Sequence, residues 1–138
     1  MDGATAVYTV LSGYGPLIAA VPVARIITDD ALPGESLALP AIQIETISGV
    51  DMDELSYSFD VSVRQRIRIR IQAKDAAQRA TVRALVRKAI YANRFPTVSG
   101  IENVVANLDG EGPDGLAPES DVRIGLIDTI VSYNQTRS

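Results

Sequence analysis

The chain has 138 residues, 46% apolar and 22% charged, with no Cys, His or Trp. That length and composition suit one globular domain. They exclude disulfide scaffolds, thiolate and imidazole metal sites, cysteine nucleophiles and histidine bases. The net charge of −4 conceals a split: residues 64–94 carry ten basic residues and one acid, a segment of +9, which leaves −13 for the remainder.

From the N-terminus, GATAVYTVLS (3–12) places Val7, Val10 and Leu11 at helical spacing. Gly13, Gly15 and Pro16 break that helix, and residues 17–21 allow a short second turn before Pro22. Residues 23–27 read as a short extended piece and 28–36 as a loop. LPAIQIETIS (39–48) reads as a strand. Pro40 stands at its start, where no ladder donor is lost, and Ile42 and Ile44 share a face opposite Gln43 and Glu45. GVDMDEL (49–55) reads as an acidic connection.

Residues 56–74 carry the cleanest pattern. Phe59, Val61, Val63, Ile67, Ile69 and Ile71 alternate with Asp60, Ser62, Arg64, Arg66, Arg68, Arg70 and Gln72. Period two over this length predicts a long half-buried strand, one that projects beyond the body or bends within it. Asp75 is an N-cap candidate, with Gln78 placed for a capping box. Val82, Leu85, Val86, Ala89 and Ile90 form the apolar stripe of the helix that follows. Residues 98–108 and 121–134 read as two further strands around NLDGEGPDGLAPES (107–120). The order helix–strand–strand–helix–strand–strand predicts an α+β fold: a mostly antiparallel β-sheet with two main helices packed on one face. One domain spans 1–138, with mobile loops expected at 50–56 and 107–120.

No phosphate loop, dinucleotide fingerprint or nucleophile elbow occurs in the sequence. Asp51, Asp53 and Glu54 lack the spacing of a calcium loop. Asp109, Glu111 and Asp114 come nearer, but no bidentate Glu closes the set. No metal, cofactor or catalytic residue is expected, and the chain is not read as an enzyme. No run of about 20 apolar residues could span a membrane. Asp2 sits where a secretory signal carries basic residues, so a cytoplasm-like compartment is expected.

The arginines are the sharpest feature. Alternate strand positions stand ~6.6–7 Å apart on one face, so Arg64, Arg66, Arg68 and Arg70 form a ridge. Arg79, Arg83 and Arg87 form a second row at helical i, i+4 spacing, where like charges each cost a few tenths of a kcal/mol. Counter-charge nearby is therefore expected. Three sources stay open: strand acids of the same chain, Glu45 among them; acids of a neighbouring subunit; or nucleic-acid phosphates. The face lacks the stacking aromatics of a single-strand platform.

The segments VYTVLSGYGPLIAAV, then ARI, then LPAIQIETISG resemble the tail completion proteins of long-tailed bacteriophages, the tail terminator or tail-to-head joining proteins. The resemblance continues in order through SFDVSVRQRIRIRIQAK, DAAQRATVRALVRKAIYA and RIGLIDTIVSYNQ, across nearly the whole chain. Pro22, in place of a glycine turn, and the acidic stretch at 107–120 depart from the pattern. The resemblance implies a homo-hexameric ring in the virion, made in the host cytoplasm. The ring caps the head-proximal end of the tail tube, stops its polymerisation and meets a neck or head-completion (stopper) protein, and DNA passes through without specific binding. Arg64, Arg66, Arg68, Arg70, Arg79, Arg83 and Arg87 are then candidate interface residues, with Asp51, Asp53, Glu54, Asp109, Glu111 and Asp114 as candidate acidic counterparts. The alternatives are a nucleic-acid-binding module that uses the basic rows and a neck stopper or connector.

Overall fold

The computed structural model describes residues 2–28, 39–52, 60–112, 115–116 and 122–136. Helix α1 (Asp2–Ser12) and short helix α2 (Gly15–Ala20) are separated where the glycines and Pro16 cluster. A 3₁₀ turn (Val23–Arg25) leads into strand β1 (Ile26–Thr28). Then come β2 (Ala41–Met52), β3 (Asp60–Ala73), helix α3 (Ala76–Ala92), β4 (Glu102–Glu111), β5 (Gly115–Leu116) and β6 (Arg123–Thr136). The sheet order is β1-β2-β3-β6-β4, with β5 added against β6. All pairings are antiparallel except β1 with β2. The α+β fold expected from the sequence is the one observed.

β3 is long because it is central. Residues 62–72 pair with β2 on one side, and residues 60–73 pair with β6 on the other. Its alternation sorts the two faces. Val63, Ile67, Ile69 and Ile71 turn inward with Ile42 and Ile44 of β2 and Ile127 and Val131 of β6. α1 and α3 cover this face with Val7, Val10, Leu11, Val82, Val86 and Ile90. Burying side chains of this size gives roughly 1.5–3 kcal/mol apiece, so the helix layer is held mainly by area, with a polar tie from the Gly3 N–H of α1 to Gln65 Oε1 of β3 at 2.7 Å. Within the sheet, Thr129 is fully buried, and its hydroxyl donates to Ile67 O at 3.1 Å.

α3 lies close over a glycine of β6. Gly125 pairs with Ile71 under the helix, and a Cβ there would meet Arg83 Nη2 at 2.7 Å and Arg79 Cγ at 3.1 Å. The stem of Arg79 and the guanidinium of Arg83 thus lie against the sheet at this point.

At the start of α3 the Gln78 N–H donates to Asp75 Oδ1 at 2.7 Å. The reciprocal bond is displaced by one residue: Gln78 Oε1 accepts from the Lys74 N–H at 2.8 Å, not from Asp75. One orphan donor of the helix and the backbone N–H before the cap are thereby satisfied.

Several expected boundaries move. Residues 23–25 are a 3₁₀ turn, so the extended piece begins at Ile26. Residues 49–52, expected in a connection, continue β2, because pairing with residues 62–65 of β3 carries the ladder past the turn-like Gly49. Residues 107–111, expected in a loop, continue β4 against β6, and residues 115–116 add β5. Residues 98–101 precede β4, which starts at Glu102. The readings at 29–36, 53–59, 113–114 and 117–121 lie outside the described residues.

Candidate assembly surface

The sheet face opposite the helices displays the even-numbered arginines of β3. Arg66 Nη2 lies 2.9 Å from Asp109 Oδ2, and its Nη1 lies 3.4 Å from Asp128 Oδ2. Arg68 donates through Nε to Asp128 Oδ1 at 2.9 Å and through Nη2 to Oδ2 at 3.4 Å. Arg70 Nε lies 3.3 Å from Glu45 Oε1. Register explains the set: Glu45, Arg68 and Asp128 are direct cross-strand partners, and β6 carries Asp128 on the same parity as the ridge.

Asp128 is the centre of this network, with a side chain only 14% exposed and shared by two guanidinium groups. Its hydrogen bond, reinforced by its charge and that of Glu45, holds the Arg68 guanidinium above the ordinary arginine value against a smaller opposing effect of burial. The ridge therefore finds its counter-charge within the chain over three of its four members. Arg64 is exposed and has no ion pair among the described residues.

The second row sits on the other side of the sheet. Arg79 and Arg83 lie over Gly125, and Arg87 Nε pairs with Glu111 Oε1 at 3.1 Å. Asp109 and Glu111 share β4 but not a face. A register shift between Leu108 and Gly110 leaves Asp109 on the ridge side, with Glu111 beside α3. The two rows thus do not merge into one basic patch. Asp51 belongs to β2, while Asp53, Glu54 and Asp114 lie outside the described residues.

Asp128 was not singled out in the sequence. The signal was present: in IGLIDTIVSY it is the lone acid of an apolar strand. The exposed apolar residues were missed as well. Val23 and Ile47 stand at the β1–β2 edge, and Tyr91 and Phe95 stand at the end of α3 beside β4. Phe95 rims a groove of about 620 Å³ with Pro96, Val98, Ile101 and Glu102, and Glu102 is the only titratable side chain in its lining. Among the described residues no cluster of three or more His, Cys, Asp or Glu is placed to hold a metal ion, and no helix is long and apolar enough to cross a membrane.

The fold occurs elsewhere. A chain in the solved structure of the virion of a native gene transfer agent (GTA) particle superposes with a TM-score of 0.73. The match covers 95% of this chain and 93% of that one, at 15% sequence identity. The likeness is one of architecture. No family model matches the sequence, and no curated protein matches it.

Proposed function

We propose that the chain is a structural virion protein. In this reading it forms a ring at the head-proximal end of a phage tail tube, ends the polymerisation of the tube and joins the tail to the neck. The observation that carries the reading is the fold shared, over almost the full length of both chains, with a component of a GTA virion. The surface agrees with it. The groove beside Phe95 has one titratable group and so no acid–base pair, while exposed apolar residues and charged rows supply material for contacts.

A ring is closed by heterologous contacts, in which one patch meets a different one. The copies are taken as six, with the tube protein below and a neck or stopper protein above. Arg64 at the unpaired end of the ridge, the α3 row, and the acids Asp51, Asp53, Glu54, Asp109, Glu111 and Asp114 are the interface candidates. The lumen is acidic or neutral, because phosphate contacts release counterions and would hold the DNA that must slide past. No cofactor takes part. A nucleic-acid module draws less support, since Arg66, Arg68 and Arg70 already have carboxylate partners.

Deletion of the gene from the particle-producing strain, followed by electron microscopy, tests the reading. The expected result is tails of uncontrolled length that fail to join heads. Tails of normal length that fail to join would instead indicate a stopper. Normal tails on normal heads would overturn the proposal.

A further inference from the structure

The four large apolar side chains exposed among the described residues fall at opposite edges of one sheet. Val23 and Ile47, 39% and 43% exposed, mark the β1–β2 edge. β1 covers β2 only over residues 42–44, which leaves Ile47 on the rim at a register shift between Thr46 and Ser48. Tyr91 and Phe95, 62% and 68% exposed, mark the β4 edge. They are tied to it by the bond from the Ala106 N–H to Arg94 O and by the Arg94 side chain on Asn107. One edge is a small aliphatic bump, and the other is an aromatic-rimmed groove.

Charge follows the same polarity. Glu102 rims the groove, is exposed, and has no ion pair among the described residues. Arg64, the ridge member with no ion pair among the described residues, lies one strand in from the opposite edge. The two sit at the same height on the same face, because Glu102 pairs with Asn134 and Arg64 with Ser132, two residues apart along β6.

We infer that these edges meet head to tail between copies of this chain: the Ile47 edge of one copy seats in the Phe95 groove of the next, with Arg64 of the first facing Glu102 of the second. The occupant is a second copy because each edge carries what the other lacks, in shape and in charge, and at matching height. A contact of this kind is heterologous and repeats around a ring. Aromatic side chains beside a well-formed groove are the usual anchors of such interfaces. The inference rests on the ring reading above and gives it a specific seam.

The natural chain has no cysteine, so cross-linking reads the seam on a clean background. Ser48→Cys and Thr97→Cys place thiols at exposed positions on the two edges, and a short bis-maleimide reagent joins them. The double variant should give a ladder of covalent multimers. A mixture of the two single variants should give dimers and nothing larger, because each supplies one reactive edge. Phe95→Asp in the Thr97→Cys chain should lower dimer yield at least tenfold. Glu102→Arg should lower it too, and Arg64→Glu in the partner should restore it. A yield no higher than that of Ser48→Cys with Ala84→Cys, a control on the outer face of α3, would overturn the seam. So would equal self-linking of Thr97→Cys alone, which would mean that like edges meet. Microscopy of tails separates the two ideas. A terminal ring without the 48-to-97 link refutes the seam and leaves the ring. Normal tails in the deletion strain refute the ring, whatever the link shows.

Discussion

At the scale of single residues, Asp128 carries the largest polar responsibility on the open face. It accepts from Arg68 with both oxygens and also faces Arg66, at 14% exposure. Charge-assisted bonds contribute about 1.5–3 kcal/mol when shielded and under about 1 kcal/mol when exposed. Arg68 is 30% exposed and Arg66 is 41% exposed, so solvent screening places the value between these limits. Asp128→Asn should cost about 1–2 kcal/mol in urea unfolding. Combined with Arg68→Met it should show a coupling of about 1 kcal/mol in a double-mutant cycle. Purely additive losses would mean that the pair is geometric only. The sign of the Arg68 shift fixes the pH behaviour. A cation whose affinity for its proton is raised by folding stabilises the fold at every pH below its unfolded value, and the benefit fades only as pH rises through the folded value. The Arg68 shift should therefore add no slope to stability between neutral pH and pH ~10.

At the scale of elements, α3 depends on one cap and one apolar stripe. Asp75→Ala removes the acceptor for the Gln78 N–H, and the expected loss is about 1 kcal/mol. Asp75→Asn, which keeps a side-chain oxygen, should cost a few tenths. Urea midpoints compare the two directly, and equal losses would show that carboxylate charge rather than the bond matters. This cap was legible in the sequence because Asp75 is followed three residues later by Gln78, and then by the stripe of Val82, Val86 and Ile90, all of which are buried. The core face of β3 was legible for the same reason: period two sorts side chains without reference to distant residues. What could not be read locally were the ends of β2 and β4. Gly49 and the Asp109–Gly110 pair look like turns, yet each is held extended by a longer neighbour, β3 for the first and β6 for the second. The register shifts in β2 and β4 come from the same pairings. So does the separation of Asp109 from Glu111, which local spacing alone would place on one face.

At the scale of the whole molecule, the question is what a +9 segment does inside a chain of net −4. The fold divides it. The β3 row lies on one face of the sheet, and the α3 row lies within the helix layer on the other. Among the described residues, carboxylates from β2, β4 and β6 meet at least four of the seven row arginines. An arginine already bonded to a carboxylate must break that bond before it takes a phosphate, so it contributes little to counterion release. Phosphates would also meet the field of the surplus acids elsewhere. The purified chain should accordingly bind non-specific duplex DNA more weakly than ~100 μM at 0.15 M salt, the weak limit for electrostatic binders. Fluorescence anisotropy across a salt series measures this. Asp128→Asn supplies the control: Arg66 keeps Asp109, but release of Arg68 should strengthen binding and steepen its salt dependence by up to about one phosphate's worth. Micromolar binding by the natural chain would reverse the conclusion. The ion pairs would then be gates that open for nucleic acid rather than struts that keep the ridge closed to it.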